Sequence, residues 1–97
     1  MQHVSRQQVE ELAGFADQHD LSKLVGAMVR MSPSALAELR SIIWLGRDGE
    51  SPKHWDALVI EARSQVDDQT VRFLAESADL GQNLRKGIDL LEASGRI

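Results

Sequence analysis

The stretch IIWLGRDGESPKHW, residues 42–55, decides the fold. Ile42 to Leu45 are apolar all round a helix, which marks a helix surrounded by protein rather than one lying on a surface. Working back, Leu36 and Leu39 face inward and Glu38 and Arg40 outward on the first half of that helix. Ser32-Pro33 opens it, a side-chain cap followed by a proline whose missing N–H is harmless in the first turn. Working forward, Gly46 follows the apolar run directly and reads as the left-handed residue that ends the helix. Asp48-Gly49 is a turn dipeptide, and Ser51-Pro52 starts the next helix as Ser32-Pro33 started this one. The stretch therefore reads as a joint, with Trp44 anchoring the helix before it and Trp55 the helix after. The apolar helix, about 33–45, belongs at the centre of the fold.

The rest of the chain keeps helical periodicity, and no alternating strand stands out. Ser5 and Gln8 form a capping box for a first helix, with Val4 stapled on Val9. Asp20 caps a second helix, about 21–31, whose inward stripe is Leu21, Leu24, Val25, Met28 and Val29. A fourth helix, about 52–66, turns Trp55, Leu58, Val59, Ala62 and Val66 to one face. Asp67 or Asp68 caps a short fifth helix, and Asp79 caps a sixth with Leu80, Leu84, Ile88 and Leu91 inward and Gly95 as its stop. Gly87 lies on the inward face of that sixth helix. Its cost of about 1 kcal/mol relative to alanine implies close approach of another helix, the third. The fold expected is all-α: one domain over 1–97, five or six short helices bundled around the apolar one.

Composition narrows the function more than it names it. Eleven Lys and Arg stand against 15 Asp and Glu, a net charge of −4, with no strongly basic window. Sequence-independent nucleic-acid binding is therefore disfavoured. Absence of cysteine removes disulfides and thiolate metal sites and is compatible with a reducing cytoplasm. No apolar run approaches a membrane span, and MQHVSRQQVEEL has no signal-peptide core. A cytoplasmic protein is the expectation.

Four residues are candidates for binding a partner: Arg47, Asp48, His54 and Phe73. Arg47 could bond the last carbonyls of the apolar helix, or offer a planar fork to a carboxylate or phosphate. Asp48 and Glu50 prompt the idea of a calcium loop, but its spacing fails: Ser51-Pro52 and Val59 fall where ligands belong. His3, His19 and His54 are too scattered for a zinc spacing. No serine elbow, phosphate loop or dinucleotide fingerprint occurs, so no catalytic, cofactor or metal residue is assigned. Phe73 points away from the Val71, Leu74 and Ala78 face of the fifth helix. Either the fifth helix is buried on two sides, with Phe73 against the sixth helix, or Phe73 is exposed for a partner; with only four aromatics in the chain, burial is the expected resolution.

The runs ALAELRSIIWLGRDGE and TVRFLAESADLGQNLRKGIDLL resemble a bacterial family of small domains of unknown function. Trp44, Leu45, Gly46 and Arg47 match its first element, Phe73 and Leu74 its second, and Leu84, Gly87 and Ile88 its third, over about residues 33–93. Asp48 before Gly49 departs from the family's Trp-Leu-Gly-Arg-Gly pattern. The resemblance implies a helical fold and a bacterial source, and no activity. The function expected is a non-enzymatic module that binds another protein or itself. Its competitors are a nucleic-acid-binding helix pair and a small-molecule or metal site near Arg47, Asp48 and His54. Against the former stand the long turn between helices three and four, and Asp56 and Glu61 on helix four.

Overall fold

Side-chain caps start the first three helices where the sequence places them. The computed structural model describes residues 1–97. In α1 (Arg6–Asp17) the Ser5 hydroxyl accepts from the Gln8 N–H at 3.1 Å while the Gln8 side chain accepts from the Ser5 N–H at 2.8 Å. Asp20 accepts from the Lys23 N–H to open α2 (Leu21–Met28), and Ser32 from the Ala35 N–H to open α3 (Pro33–Asp48). A 3-10 turn (Pro52–His54) leads into α4 (Trp55–Ser64), followed by α5 (Thr70–Ala75) and α6 (Leu80–Ala93). The chain is all-α, as its periodicity predicts, and no helix is long and apolar enough to cross a membrane.

Helix ends account for the unusual backbone. After α1, His19 adopts φ 55°; its N–H donates to Ala16 O and the Asp20 N–H to Phe15 O. After α6, Gly95 at φ 78° repeats the pattern, with Gly95 N–H to Glu92 O and Arg96 N–H to Leu91 O. Both are Schellman closures, which satisfy otherwise orphaned carbonyls. Glycine enters the left-handed region without strain, whereas His19 does so at a cost.

α3 and α6 share the centre and make the most extensive helix–helix interface, with α4 packed on α3 and α1 on α6. α2 bridges α1 to α5. Leu39, Ile42 and Leu45 of α3 are fully enclosed, as are Leu84, Ile88 and Leu91 of α6; Ile43 is buried and Trp44 half-buried. Two glycines allow this closeness. A Cβ on Gly87 would lie 2.1 Å from the Ile42 carbonyl oxygen, and one on Gly46 2.0 Å from that of Asn83. Residue numbers rise along one helix as they fall along the other, so the two helices run antiparallel through a reciprocal glycine contact.

Several local expectations are corrected. Gly46 does not end α3; the helix continues to Asp48, and Gly49 at φ 69° is the left-handed residue. Gly46 is inside the helix because α6 passes over it, a close approach that only a missing Cβ permits. Ser51 makes no cap bond, and the 3-10 turn takes up the entry to α4 instead. Asp79 sits at φ 55° with its side chain capping nothing. Leu21 and Val29, at the margins of the α2 stripe, are exposed, leaving Leu24 and Met28 to fill the core.

Glu38 is the largest departure. Read as outward, it is buried, with Oε1 accepting from the His3 and Val4 N–H groups and Oε2 from that of Gln2, all at 2.8 Å. Residues 2–4 fold over α3, so a position that faces out of the isolated helix lies under another part of the chain. Three N–H donors satisfy a carboxylate that would otherwise be costly to bury.

Candidate interaction surface

α5 is six residues long and buries one stripe, Thr70 and Leu74, with α2 and α3 as its main neighbours. Phe73 points the other way. The expectation that it packs against the sixth helix is therefore corrected: the residue is 58% exposed. A single turn and a half of helix cannot bury two opposite faces when it lies at the edge of the bundle.

What lies beneath Phe73 is Arg40 of α3. The guanidinium carbon stands 5.6 Å from the centre of the Phe73 ring and 4.8 Å from that of Trp44. Trp44 lies four residues on from Arg40, which places both on one side of α3. Cation–π attraction of this kind holds the planar group against the rings. Arg40 is half-buried, its Nε is enclosed, and no acceptor reaches it.

Phe73 also forms the ridge between two hollows. One, of about 180 Å³, is lined by Arg40, Gln65, Asp67, Gln69, Thr70 and Phe73. The other, of about 310 Å³, runs from Arg47 and Ile43 past Phe73 to Asn83. The face thus combines an aromatic ring, two arginines and concave ground on either side.

The other three candidate residues are placed as follows. Arg47 does not turn to the α3 carbonyls: on the exposed surface it grips its neighbour Asp48, with Nε–Oδ1 at 2.9 Å and Nη2–Oδ2 at 3.2 Å. Those hydrogen bonds hold the Asp48 carboxyl below its ordinary range and push the guanidinium up. His54 is exposed, with Nδ1 3.7 Å from Glu50 Oε2. The structure brings Arg47 and Phe73 to one hollow, whereas Asp48 and His54 line neither of the two. No three His, Cys, Asp or Glu side chains gather in a metal-holding group.

Arg40 is the residue that sequence reasoning missed. It was one outward charge among many, although its i,i+4 spacing to Trp44 is a local signal of a stacked pair. Its approach to Phe73 spans two helices and left no mark in the sequence.

The family model described as "Protein of unknown function (DUF3775)" matches residues 21–93, and the chain belongs to that family. The match takes in α2 as well as the region over which the resemblance is visible, and it carries no activity with it. No curated protein and no solved structure matches the chain.

Proposed function

We propose that this member of the family is a non-enzymatic protein-interaction module, docking through Phe73 and the hollows on either side of it. The observation that carries the reading is the Phe73 ring, more than half exposed above Arg40 in a chain with only four aromatics. Exposed aromatics and arginines beside concave ground are the groups that dominate binding energy at protein interfaces. Asp67 and Glu76 line the two hollows, and pairing of Arg47 with Asp48 and Arg72 with Glu76 leaves few free cations for a nucleic-acid phosphate backbone. A bacterial cytoplasm is the proposed setting, supported by the family resemblance and the cysteine-free sequence.

The test is a photo-crosslinking benzophenone side chain placed at position 73, with Lys53 as the control position, in the native cell. A discrete adduct formed at 73 and absent at 53 is the expected outcome. Identical patterns at both positions would remove the basis for the reading. Sedimentation of the purified chain then tells self-association from binding to a different protein.

A further inference from the structure

The docking face contains one cation that nothing in the chain neutralises. Arg47 is paired with Asp48 and Arg72 with Glu76, and the other cations without an ion pair, Arg30, Lys53, Arg63 and Lys86, are exposed to water. Arg40 has no ion pair and no hydrogen bond, although it is half-buried and its Nε is enclosed. The carboxylate that lines its hollow, Asp67, is already engaged, and so are the acids farther along the face. Asp48 is held by Arg47, Glu76 by Arg72, and Asp67 Oδ1 by the Gln69 N–H at 2.8 Å and the Thr70 hydroxyl at 3.4 Å. In a chain of net charge −4, a half-buried arginine beside Asp67 with no carboxylate on it is an unfilled position.

A guanidinium binds differently through its faces and its edge. Its faces suit aromatic rings, and its in-plane N–H groups form a fork matched to a carboxylate. Trp44 and Phe73 supply rings and no in-plane acceptor. The hollow that Arg40 lines, about 180 Å³, lies below the roughly 300–1,000 Å³ of small-molecule sites and is of a size for one side chain. A polyanion fits poorly, because it needs several free cations and the neighbouring Arg47 and Arg72 are already paired.

Two copies of a chain of net charge −4 repel one another, so we infer that the Arg40 fork receives a single Asp or Glu side chain from a partner polypeptide other than this chain, with a neighbouring apolar residue of the partner seated on Phe73. This rests on the docking reading of the Phe73 face and adds the partner's chemistry to it. Arg40 supplies direction through its fork, and Phe73 supplies apolar area next to it.

The experiment is selection from a displayed random-peptide library on the intact chain. One synthetic winner, amidated at its C-terminus, is then titrated against the parent and the Arg40→Gln, Arg40→Lys and Phe73→Ser variants. The expected peptides carry Asp or Glu beside an aliphatic or aromatic residue. Arg40→Gln weakens binding at least about tenfold, the loss of one charge-assisted pair. Arg40→Lys weakens it by a smaller factor, since the charge stays and the fork is lost; Phe73→Ser also weakens it. Exchange of the peptide's acid for its amide reads the same pair from the other side, should Arg40→Gln fail to fold. Peptides that require Phe73 but bear no acid, or that bind Arg40→Gln as tightly as the parent, overturn the inference and leave the docking reading standing. No selectable peptide, or binding indifferent to Phe73, overturns both. A homodimer dissociated by Arg40→Gln overturns the choice of a different polypeptide.

Discussion

Consider a methyl group added at Gly46. Its carbon would lie 2.0 Å from the Asn83 carbonyl oxygen and 2.8 Å from the carbonyl carbon, against 3.4 Å for the near edge of ordinary contact. The obstacle is backbone, so no side-chain rotation relieves it, and α3 and α6 must separate by more than 1 Å in the most extensive interface of the fold. Overpacking of a well-filled core costs about 1–3 kcal/mol, and a backbone obstacle belongs at or beyond the upper end of that range. Against it stands a gain of about 1 kcal/mol from replacing glycine by alanine inside a helix. The net destabilisation expected for Gly46→Ala is about 2 kcal/mol. For a domain of this size that lowers the melting temperature on the order of 10–15 °C.

Gly14 and Gly26 supply the internal comparison, because both lie inside helices and a Cβ there would meet nothing within 4 Å. The same substitution should leave stability unchanged or raise it by up to about 1 kcal/mol. Gly87→Ala should behave like Gly46→Ala, and the double variant should cost less than the two singles together, since the first separation makes room for the second methyl. Circular dichroism during thermal and urea unfolding reads all five variants. If Gly46→Ala melts with the parent, or all four glycines respond alike, the close-approach reasoning is wrong.

Glu38→Ala removes the acceptor for three backbone N–H groups; bonds to a charged acceptor contribute about 1.5–3 kcal/mol each, but loss of the buried carboxylate's desolvation cost and hydration of the two part-buried N–H groups offset part of the sum, so a net loss of about 3 kcal/mol is expected, with hydrogen exchange speeding up first at residues 2–4. His19→Gly keeps the left-handed closure of α1 while removing its Cβ strain, so stability should rise by about 1 kcal/mol in a denaturant titration. The hydrogen-bonded Arg85 guanidinium holds the Asp17 carboxyl below its ordinary range. Because the folded value is the lower one, the pair's contribution is fully present above about pH 4 and is lost as pH falls through the depressed value. Asp17→Asn should therefore flatten the decline in melting temperature below pH 4, by a small, salt-screened amount since both side chains are about half exposed.

Helix starts were legible because their chemistry is local. Ser5 with Gln8, Asp20, and Ser32-Pro33 each bond within three residues, and the structure places every one of those caps as the sequence implies. Gly87 was legible for another reason: a glycine amid an inward leucine stripe has a cost that some close neighbour must offset. The same reasoning applies to Gly46, but a glycine after an apolar run also suits a helix end. The local pattern holds both readings, and only the passage of α6 decides between them. Glu38 and Phe73 failed in opposite directions for one cause. A helical wheel places a side chain relative to its own helix, whereas residues 2–4 cover one supposedly outward position and the edge placement of α5 uncovers one supposedly inward.

The candidate surface is tied to the core through α3. On one side of that helix Ile42 and Gly46 meet α6; on another, Arg40 lies against the rings of Trp44 and Phe73. Asn83 joins the two sides. Its carbonyl is the group that closes over Gly46, its side chain donates to the Ala78 carbonyl at 3.3 Å, and it lines the hollow between Arg47 and Phe73. A shift of α6 away from Gly46 therefore moves one wall of that hollow while leaving the Arg40 side of Phe73, built from α3, α5 and the 65–69 connection, in place. The larger hollow depends on how closely two glycines let the central helices pack, whereas the arginine fork depends on where α5 ends up at the edge of the bundle. Shape on one side of the ring and charge on the other thus come from separate packing events and are open to separate mutation.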